Sequence, residues 1–105
     1  MSAVRVRAAL LTLLLGATAA PSQAETIKVM IDRLVYVPTE IEAKPGDEIE
    51  WINKDALVHT ATVKGGADVL IPAKRSGRLL LKESGSFDYI CRYHPNMKGR
   101  ITVRP

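Results

Sequence analysis

The chain has 105 residues, of which 47% are hydrophobic, and this length leaves room for one small domain. Fifteen Lys and Arg residues against 11 Asp and Glu residues give a formal net charge of +4. No basic run and no aromatic-basic module accompanies this charge, so we expect no nucleic acid among its partners.

Residues 1–24 have the three parts of a secretory signal peptide. Two arginines precede an apolar run over residues 8–20, and a Ser-Gln-Ala pattern typical of cleavage sites ends at Ala24. The run has 13 residues, whereas a membrane-spanning helix needs about 20, so we expect cleavage and no stable membrane anchor. The mature domain would be residues 25–105, exported to the periplasm, with 13 basic and 11 acidic residues and a net charge of +2.

The mature chain is predicted to consist of short strands, because apolar and polar residues alternate and no stretch has a sustained helical period. The predicted strands cover residues 26–31, 39–43, 48–53, 59–63, 78–82, 87–91 and 99–104, with one further short strand near 69–71. The Lys-Pro-Gly-Asp sequence at residues 44–47 is a strong turn signal and predicts a hairpin of the strands on either side. This pattern favours an all-β fold, an antiparallel Greek-key sandwich or flattened barrel of about seven or eight strands.

The single cysteine, Cys91, cannot form an internal disulfide. A free thiol in an oxidising compartment is a liability unless it is buried or bound to a metal. Cys91, His94 and Met97 are spaced three residues apart around one loop, while His59 begins a predicted strand and shares a face with small apolar residues. The four residues whose side chains can donate to a metal therefore lie in two segments of the sequence.

Two imidazoles, one thiolate and one thioether are the ligands of blue-copper electron-transfer sites, in which the thioether is a weak axial donor. Zinc fits this set worse because methionine is not among its usual donors, and haem attachment would need a second cysteine. Each residue alone has a simpler interpretation, as a core histidine, a buried thiol or a core-filling methionine. Their combination at this spacing, in an exported all-β domain, predicts a copper site.

The stretch from Ile41 to Pro105 resembles the cupredoxins, and within that family it is most similar to the amicyanins. The resemblance rests on the Cys-x2-His-x2-Met loop that begins at Cys91 and on the Trp-Ile-Asn sequence at residues 51–53 that leads to His59. The turn signal described above also matches a hairpin turn of the family.

The resemblance implies one Cu(I)/Cu(II) ion in a type 1 site held by His59, Cys91, His94 and Met97. It also implies that Asn53 tethers the two ligand-bearing segments by hydrogen bonds, as residues behind the metal ligands often do. An ordinary turn residue at a strand end is the alternative for Asn53.

The family further implies that His94 reaches the surface within an apolar patch. The candidate patch residues are Leu57, Ile71, Pro72, Tyr93 and Pro95, with Arg92, Lys98, Lys54 and Lys74 as rim charges. Ordinary solvated surface is the alternative for these basic residues. Amicyanins usually have proline directly before each ligand histidine, whereas this chain has Val58 and Tyr93 there.

As a function, the resemblance implies a monomeric one-electron carrier rather than an enzyme. Its partners would be redox proteins, with an amine-oxidising dehydrogenase and a c-type cytochrome as the examples in the family. The sequence has no nucleophile-base pair or second metal cluster that would indicate catalysis. The alternatives are a copper-delivery or storage protein of the same fold, and a metal-free interaction module, which would normally lack one or more ligands.

Overall fold

The computed structural model describes residues 23–105, so the predicted signal peptide lies almost entirely outside the described residues. The described residues form nine strands: β1 (Thr26–Asp32), β2 (Val35–Val37), β3 (Glu40–Ala43), β4 (Glu48–Asn53), β5 (His59–Val63), β6 (Asp68–Ile71), β7 (Ser76–Leu80), β8 (Gly85–Ile90) and β9 (Lys98–Val103). Within residues 23–105, no helix is long and apolar enough to cross a membrane.

The strands form two sheets packed as a sandwich, which confirms the predicted fold class. One sheet has four strands in the order β2-β1-β4-β7, and the other has five in the order β3-β9-β8-β5-β6. The pairing is mixed rather than purely antiparallel, because β1 runs parallel to β4 and β3 runs parallel to β9. Alternation in a sequence shows which face of a strand is buried, but it does not show the direction of the neighbouring strand.

The predicted hairpin of β3 and β4 is wrong, because these two strands lie in different sheets. The turn between them carries the chain from one sheet to the other, and its Asp47 side chain is only 2% exposed. Lys44 N donates to Asp47 Oδ2 at 3.0 Å, and Gly46 N donates to the carbonyl oxygen of Leu81 at 2.7 Å. The turn signal therefore identifies a change of direction but not the partner strand.

Strand β2 was not predicted; it has three residues, and its only buried side chain is that of Tyr36. The two residues that turn the chain from β1 into β2, Arg33 and Leu34, have φ angles of 54° and 64°. A two-residue turn with two positive φ angles usually has glycine or asparagine, so the usual turn signal is absent here. The carboxylate of Asp55 holds this turn by accepting hydrogen bonds from both backbone amides, at 2.7 and 3.0 Å.

A buried aromatic group connects the two sheets beneath the predicted copper ligands. Trp51 of β4 donates its Nε1–H to the Tyr89 hydroxyl of β8 at 3.2 Å, and the Tyr36 and Tyr89 rings lie 4.7 Å apart. Burial raises the pKa of Tyr89 to about 12, although the hydrogen bond from Trp51 lowers it, so the hydroxyl stays protonated at neutral pH. The Tyr36 hydroxyl donates to the carbonyl oxygen of Thr60, the residue after His59.

Gly99 allows β9 to pass directly beneath the Tyr89 ring, its partner in the β8–β9 pair. A Cβ atom at Gly99 would lie 2.6 Å from the Tyr89 hydroxyl oxygen. We therefore expect Gly99→Ala to lower the free energy of unfolding by about 1–3 kcal/mol, because the ring or strand must shift. Urea denaturation measures this loss. Gly66→Ala is the control, since the nearest atom to its Cβ would be Val63 Cγ1 at 3.3 Å, and an equal loss in both variants would contradict the packing argument.

Candidate metal centre

The topology brings the two ligand-bearing segments to one end of the sandwich. His59 is the first residue of β5, and Cys91 directly follows the last residue of β8. These strands are antiparallel neighbours, with Thr62 opposite Ile90. Because the strands run in opposite directions, the start of β5 lies beside the end of β8.

The β8–β9 loop, residues 91–97, is folded into two successive tight turns. His94 N donates to the carbonyl oxygen of Cys91 at 3.2 Å, and Met97 N donates to the carbonyl oxygen of His94 at 2.8 Å. Cys91 N in turn donates to the carbonyl oxygen of Met97 at 3.3 Å. These backbone hydrogen bonds hold Cys91, His94 and Met97 close together, although the three residues are spaced along the chain.

Three of the four predicted ligands come together in the folded chain. Cys91 Sγ lies 3.7 Å from His59 Nδ1 and 3.6 Å from His94 Nδ1. Ligand atoms of all three residues lie within 4.8 Å of one another. Cys91 and His59 are fully buried, and His94 is half-buried.

These separations fit a single bound metal ion. A metal with sulfur at ~2.3 Å and nitrogen at ~2.0 Å, at angles of roughly 110–120°, places the two donor atoms about 3.5–3.7 Å apart. The observed 3.6 and 3.7 Å agree with that estimate. A Cys and two His donors are also the equatorial set of blue-copper sites, so the residues present fit copper.

Met97 completes the 91–97 loop just before β9, and its side chain is 3% exposed. Its backbone closes the loop through the hydrogen bonds with Cys91 and His94 described above. Met97 belongs to the buried core cluster that also contains Cys91. This position is compatible with the predicted axial thioether, which stays a prediction.

Asp55 supports the His59 ring on the side away from Cys91, a role that was not predicted from the sequence. Asp55 Oδ2 lies 2.8 Å from His59 Nε2. Burial raises the pKa of the Asp55 carboxyl, but hydrogen bonds from Leu34 N, His59 and Arg33 N outweigh burial, so the pKa lies below its usual value. With Nε2 engaged by a carboxylate, His59 presents Nδ1 to the site in a fixed ring orientation. A carboxylate four residues before the histidine is the only signal in the sequence.

The side chain of Asn53, the last residue of β4, makes four hydrogen bonds near the site, and its predicted tether between the two ligand-bearing segments stays a prediction. Its Nδ2 donates to the carbonyl oxygens of Leu57, Ile71 and Pro72, at 2.8, 3.2 and 3.1 Å, and its Oδ1 accepts from Asp55 N at 2.8 Å. These bonds join the β4–β5 loop, which leads to His59, to the end of β6. Asn53 therefore tethers the segment that leads to His59 to the end of β6, and among residues 23–105 the hydrogen bonds of its side chain do not reach the 91–97 loop.

Thr60 instead connects the two ligand-bearing segments. Its backbone N donates to Cys91 Sγ at 3.4 Å, and its Oγ1 accepts a hydrogen bond from Arg92 N at 2.9 Å. An N–H aimed at sulfur stabilises negative charge on the ligand atom. The sequence contains no signal for this role, because threonine is an ordinary strand residue.

The end of the sandwich that holds His94 exposes three residues of the predicted apolar patch. Leu57 and Tyr93 are 52% and 50% exposed, and Pro95 is also exposed. Ile71 was wrongly included in the predicted patch, since it is fully buried, with its side chain on the inner face of β6. The His94 ring packs edge-on against the His59 ring, with 5.0 Å between centroids.

Comparisons with known proteins agree with this geometry. The family model described as "Cupredoxin-like domain" matches residues 5–103. Amicyanin from Paracoccus denitrificans is 34% identical over 84 residues, which cover 73% of this chain and 64% of that protein. Amicyanin-alpha from Methylorubrum extorquens is 33% identical over 87 residues, covering 76% and 73% respectively. A solved Cu(I) structure of a point mutant of amicyanin superimposes with a TM-score of 0.69 at 29% identity, covering 75% of this chain and 82% of that one.

Proposed function

Because the chain belongs to the cupredoxin-like domain family, we propose that it is an exported blue copper protein that carries single electrons between redox partners. The convergence of Cys91 Sγ with the Nδ1 atoms of His59 and His94, at 3.7 and 3.6 Å, is the observation that carries this proposal. In this proposal residues 1–24 are the signal peptide, and residues 25–105 are the copper domain that works in the periplasm.

His59, Cys91 and His94 would hold the copper ion, with Met97 as a weak axial donor. Bound copper would supply the Cu(I)/Cu(II) couple, whose potential depends on the axial donor and on the surroundings of the sulfur. The protein keeps the donors in place: Asp55 orients the His59 ring, and the buried core around Cys91 excludes water. Little needs to rearrange when an electron moves, because strands and two tight turns hold the donors.

His94 gives the electron its shortest way to the surface, because it is the only one of the three clustered donors that is not fully buried. Leu57, Tyr93 and Pro95 are exposed at the same end of the sandwich. A small apolar contact around a histidine edge suits a brief redox encounter. We propose redox proteins as partners, of the kinds that serve amicyanins, an amine-oxidising dehydrogenase and a c-type cytochrome, with this chain acting as a monomeric carrier and not as an enzyme.

The test is the visible and electron paramagnetic resonance spectrum of residues 25–105 loaded with Cu(II). We expect an intense thiolate-to-copper absorption and reversible reduction and reoxidation with the copper retained. A colourless, metal-free protein after exposure to cupric salt would refute the proposal. Loss of copper on each reduction cycle would instead favour a delivery or storage protein.

The axial role of Met97 predicts a lower reduction potential in Met97→Gln. An amide oxygen is a harder donor than a thioether and favours Cu(II) over Cu(I), so copper should stay bound while the potential falls. Protein-film voltammetry measures the shift. Met30→Gln is the matched control, since Met30 lies on β1 away from the ligand loop. Equal potentials in Met97→Gln and the unmodified protein would show that Met97 is not axial.

A further inference from the structure

Positive charge is concentrated in the four loops at the end of the sandwich that holds the candidate metal centre. These loops are residues 33–34, 54–58, 72–75 and 91–97. They contain five basic side chains and one acidic side chain: Arg33, Lys54, Lys74, Arg75 and Arg92, with Asp55. Asp32 and Lys98 lie at the strand ends beside these loops, and their opposite charges add up to zero.

The rest of the described chain has a different charge balance. The nine strands contain seven acidic and four basic residues, and the loops at the opposite end contain three basic and two acidic residues. The overall charge of the domain is small, so this separation makes one end of the molecule distinctly positive. Surface charge of this kind steers the approach of a partner.

Four of these basic residues form one group, which we call the basic patch: Arg33, Lys54, Lys74 and Arg75. Hydrogen bonds hold their loops together, since Lys74 Nζ donates to the carbonyl oxygen of Lys54 at 2.7 Å and Arg33 N donates to Asp55 Oδ1 at 2.7 Å. All four side chains are exposed, and none forms an ion pair with another residue of the described range 23–105. Arg92 is not included, because it pairs with Asp68 at 3.1 Å.

The single acidic residue in these loops cannot balance the four positive charges of the basic patch, and its carboxylate forms an ion pair with none of the four side chains. The Asp55 side chain is 14% exposed, and its two oxygens are occupied by His59 Nε2 and by the amides of Arg33 and Leu34. The basic patch also adjoins apolar surface, since Leu34 and Leu57 in the same loops are 42% and 52% exposed. An apolar centre with charge on one side is a common arrangement in protein-protein interfaces.

From this arrangement we propose that the surface around His94 docks a redox protein with an acidic docking face, whose carboxylates lie against the basic patch. This inference rests on the proposed function. One protein is oxidised by one electron as the other is reduced by one, and no proton or bond is exchanged. Complementary charge would mainly raise the association rate and fix the orientation of the complex.

The first test uses the metal-free protein and does not depend on copper. Titrating hexaglutamate peptide into ¹⁵N-labelled residues 25–105 at low ionic strength should shift the amide resonances of Arg33, Lys54, Lys74 and Arg75. The shifts should disappear in about 0.3 M salt, where charges are screened beyond several ångströms. Equal shifts around Lys64 and Lys82, at the opposite end of the sandwich, would overturn the proposal.

The second test compares two double variants that each remove two positive charges, K54Q/K74Q in the basic patch and K64Q/K82Q at the opposite end. The copper-loaded, reduced proteins are oxidised by hexacyanoferrate(III) or by tris(phenanthroline)cobalt(III), each of which accepts one electron. At low ionic strength we expect K54Q/K74Q to slow the reaction with the anion by about three- to tenfold and to speed the reaction with the cation. K64Q/K82Q should change both rates much less.

Equal effects of the two double variants would overturn the basic patch as the docking site while leaving a blue, redox-active protein intact. A protein that never becomes blue would refute the proposed function instead, and the peptide titration would still decide the charge argument. Anionic phosphatidylglycerol vesicles provide the remaining comparison. Binding to vesicles that is lost in K54Q/K74Q, without any peptide-induced shift, would assign the surface to a membrane and overturn the protein partner.

Discussion

Cys91→Ser should abolish the intense visible absorption of the copper-loaded protein, with the band falling by more than about tenfold because the transition needs a thiolate donor. Cys91 is the only thiol in the chain and is fully buried beside both histidines. Serine has nearly the same shape, so the buried site keeps its packing while it loses the soft donor. Absorption spectra of equal amounts of copper-loaded protein measure the change.

Two controls make this result specific to the ligand. Circular dichroism and Trp51 fluorescence of the metal-free Cys91→Ser variant should match those of the unmodified protein, which shows that the fold persists. His94→Ala is the second variant, because His94 is half-buried and lies in the loop. It retains the thiolate but should bind copper more weakly and change the spectrum. A Cys91→Ser protein that remains blue would refute the ligand assignment.

Copper binding should raise the melting temperature of the domain by about 15–30 °C. A ligand at a thousandfold excess over its Kd stabilises the folded state by about 4 kcal/mol, and each kcal/mol shifts the melting temperature of a domain this small by about 4–8 °C. The donors come from two segments, since Cys91 and His59 are 32 residues apart. Unfolding separates these segments and therefore removes the site.

Calorimetry under anaerobic conditions, with Cu(I) and without it, measures this shift. Cys91→Ser in the same copper concentration is the control, and its melting temperature should rise far less. No shift at saturating copper in the unmodified protein would contradict a site formed by folding. A shift of equal size in both proteins would mean that copper stabilises the domain at some other place.

Hydrogen bonds to the surrounding residues hold the candidate donors in place. Asp55 orients His59, and the backbone amide of Thr60 points at Cys91 Sγ. The Tyr36 hydroxyl then fixes the backbone of Thr60 from within the core. The same carboxylate of Asp55 also closes the turn between β1 and β2, so the candidate metal centre and the basic patch share one anchoring residue.

The sequence was sufficient to predict features that depend on local chemistry. Alternation of apolar and polar residues predicts strands, and eight of the nine strands were predicted to within a few residues. The residue types at 59, 91, 94 and 97 predict a copper site because donor softness is a property of each side chain, and the structure brings three of them together. The signal peptide and the axial role of Met97 remain predictions.

Tertiary structure alone decided which segments meet. The sequence of residues 44–47 predicts a turn of the chain, but this turn links two different sheets. The strand partners are determined by the burial of two apolar faces against each other, which involves residues far apart in the sequence. The same long-range packing directs Asn53 to the end of β6 and leaves Thr60 to contact Cys91. A contact between distant residues needs no special residue type at either position, and for that reason Thr60 could not be found before the fold was known. Of the basic patch, Lys54 and Lys74 were among the predicted rim charges, whereas Arg33 and Arg75 were placed beside them only by the fold.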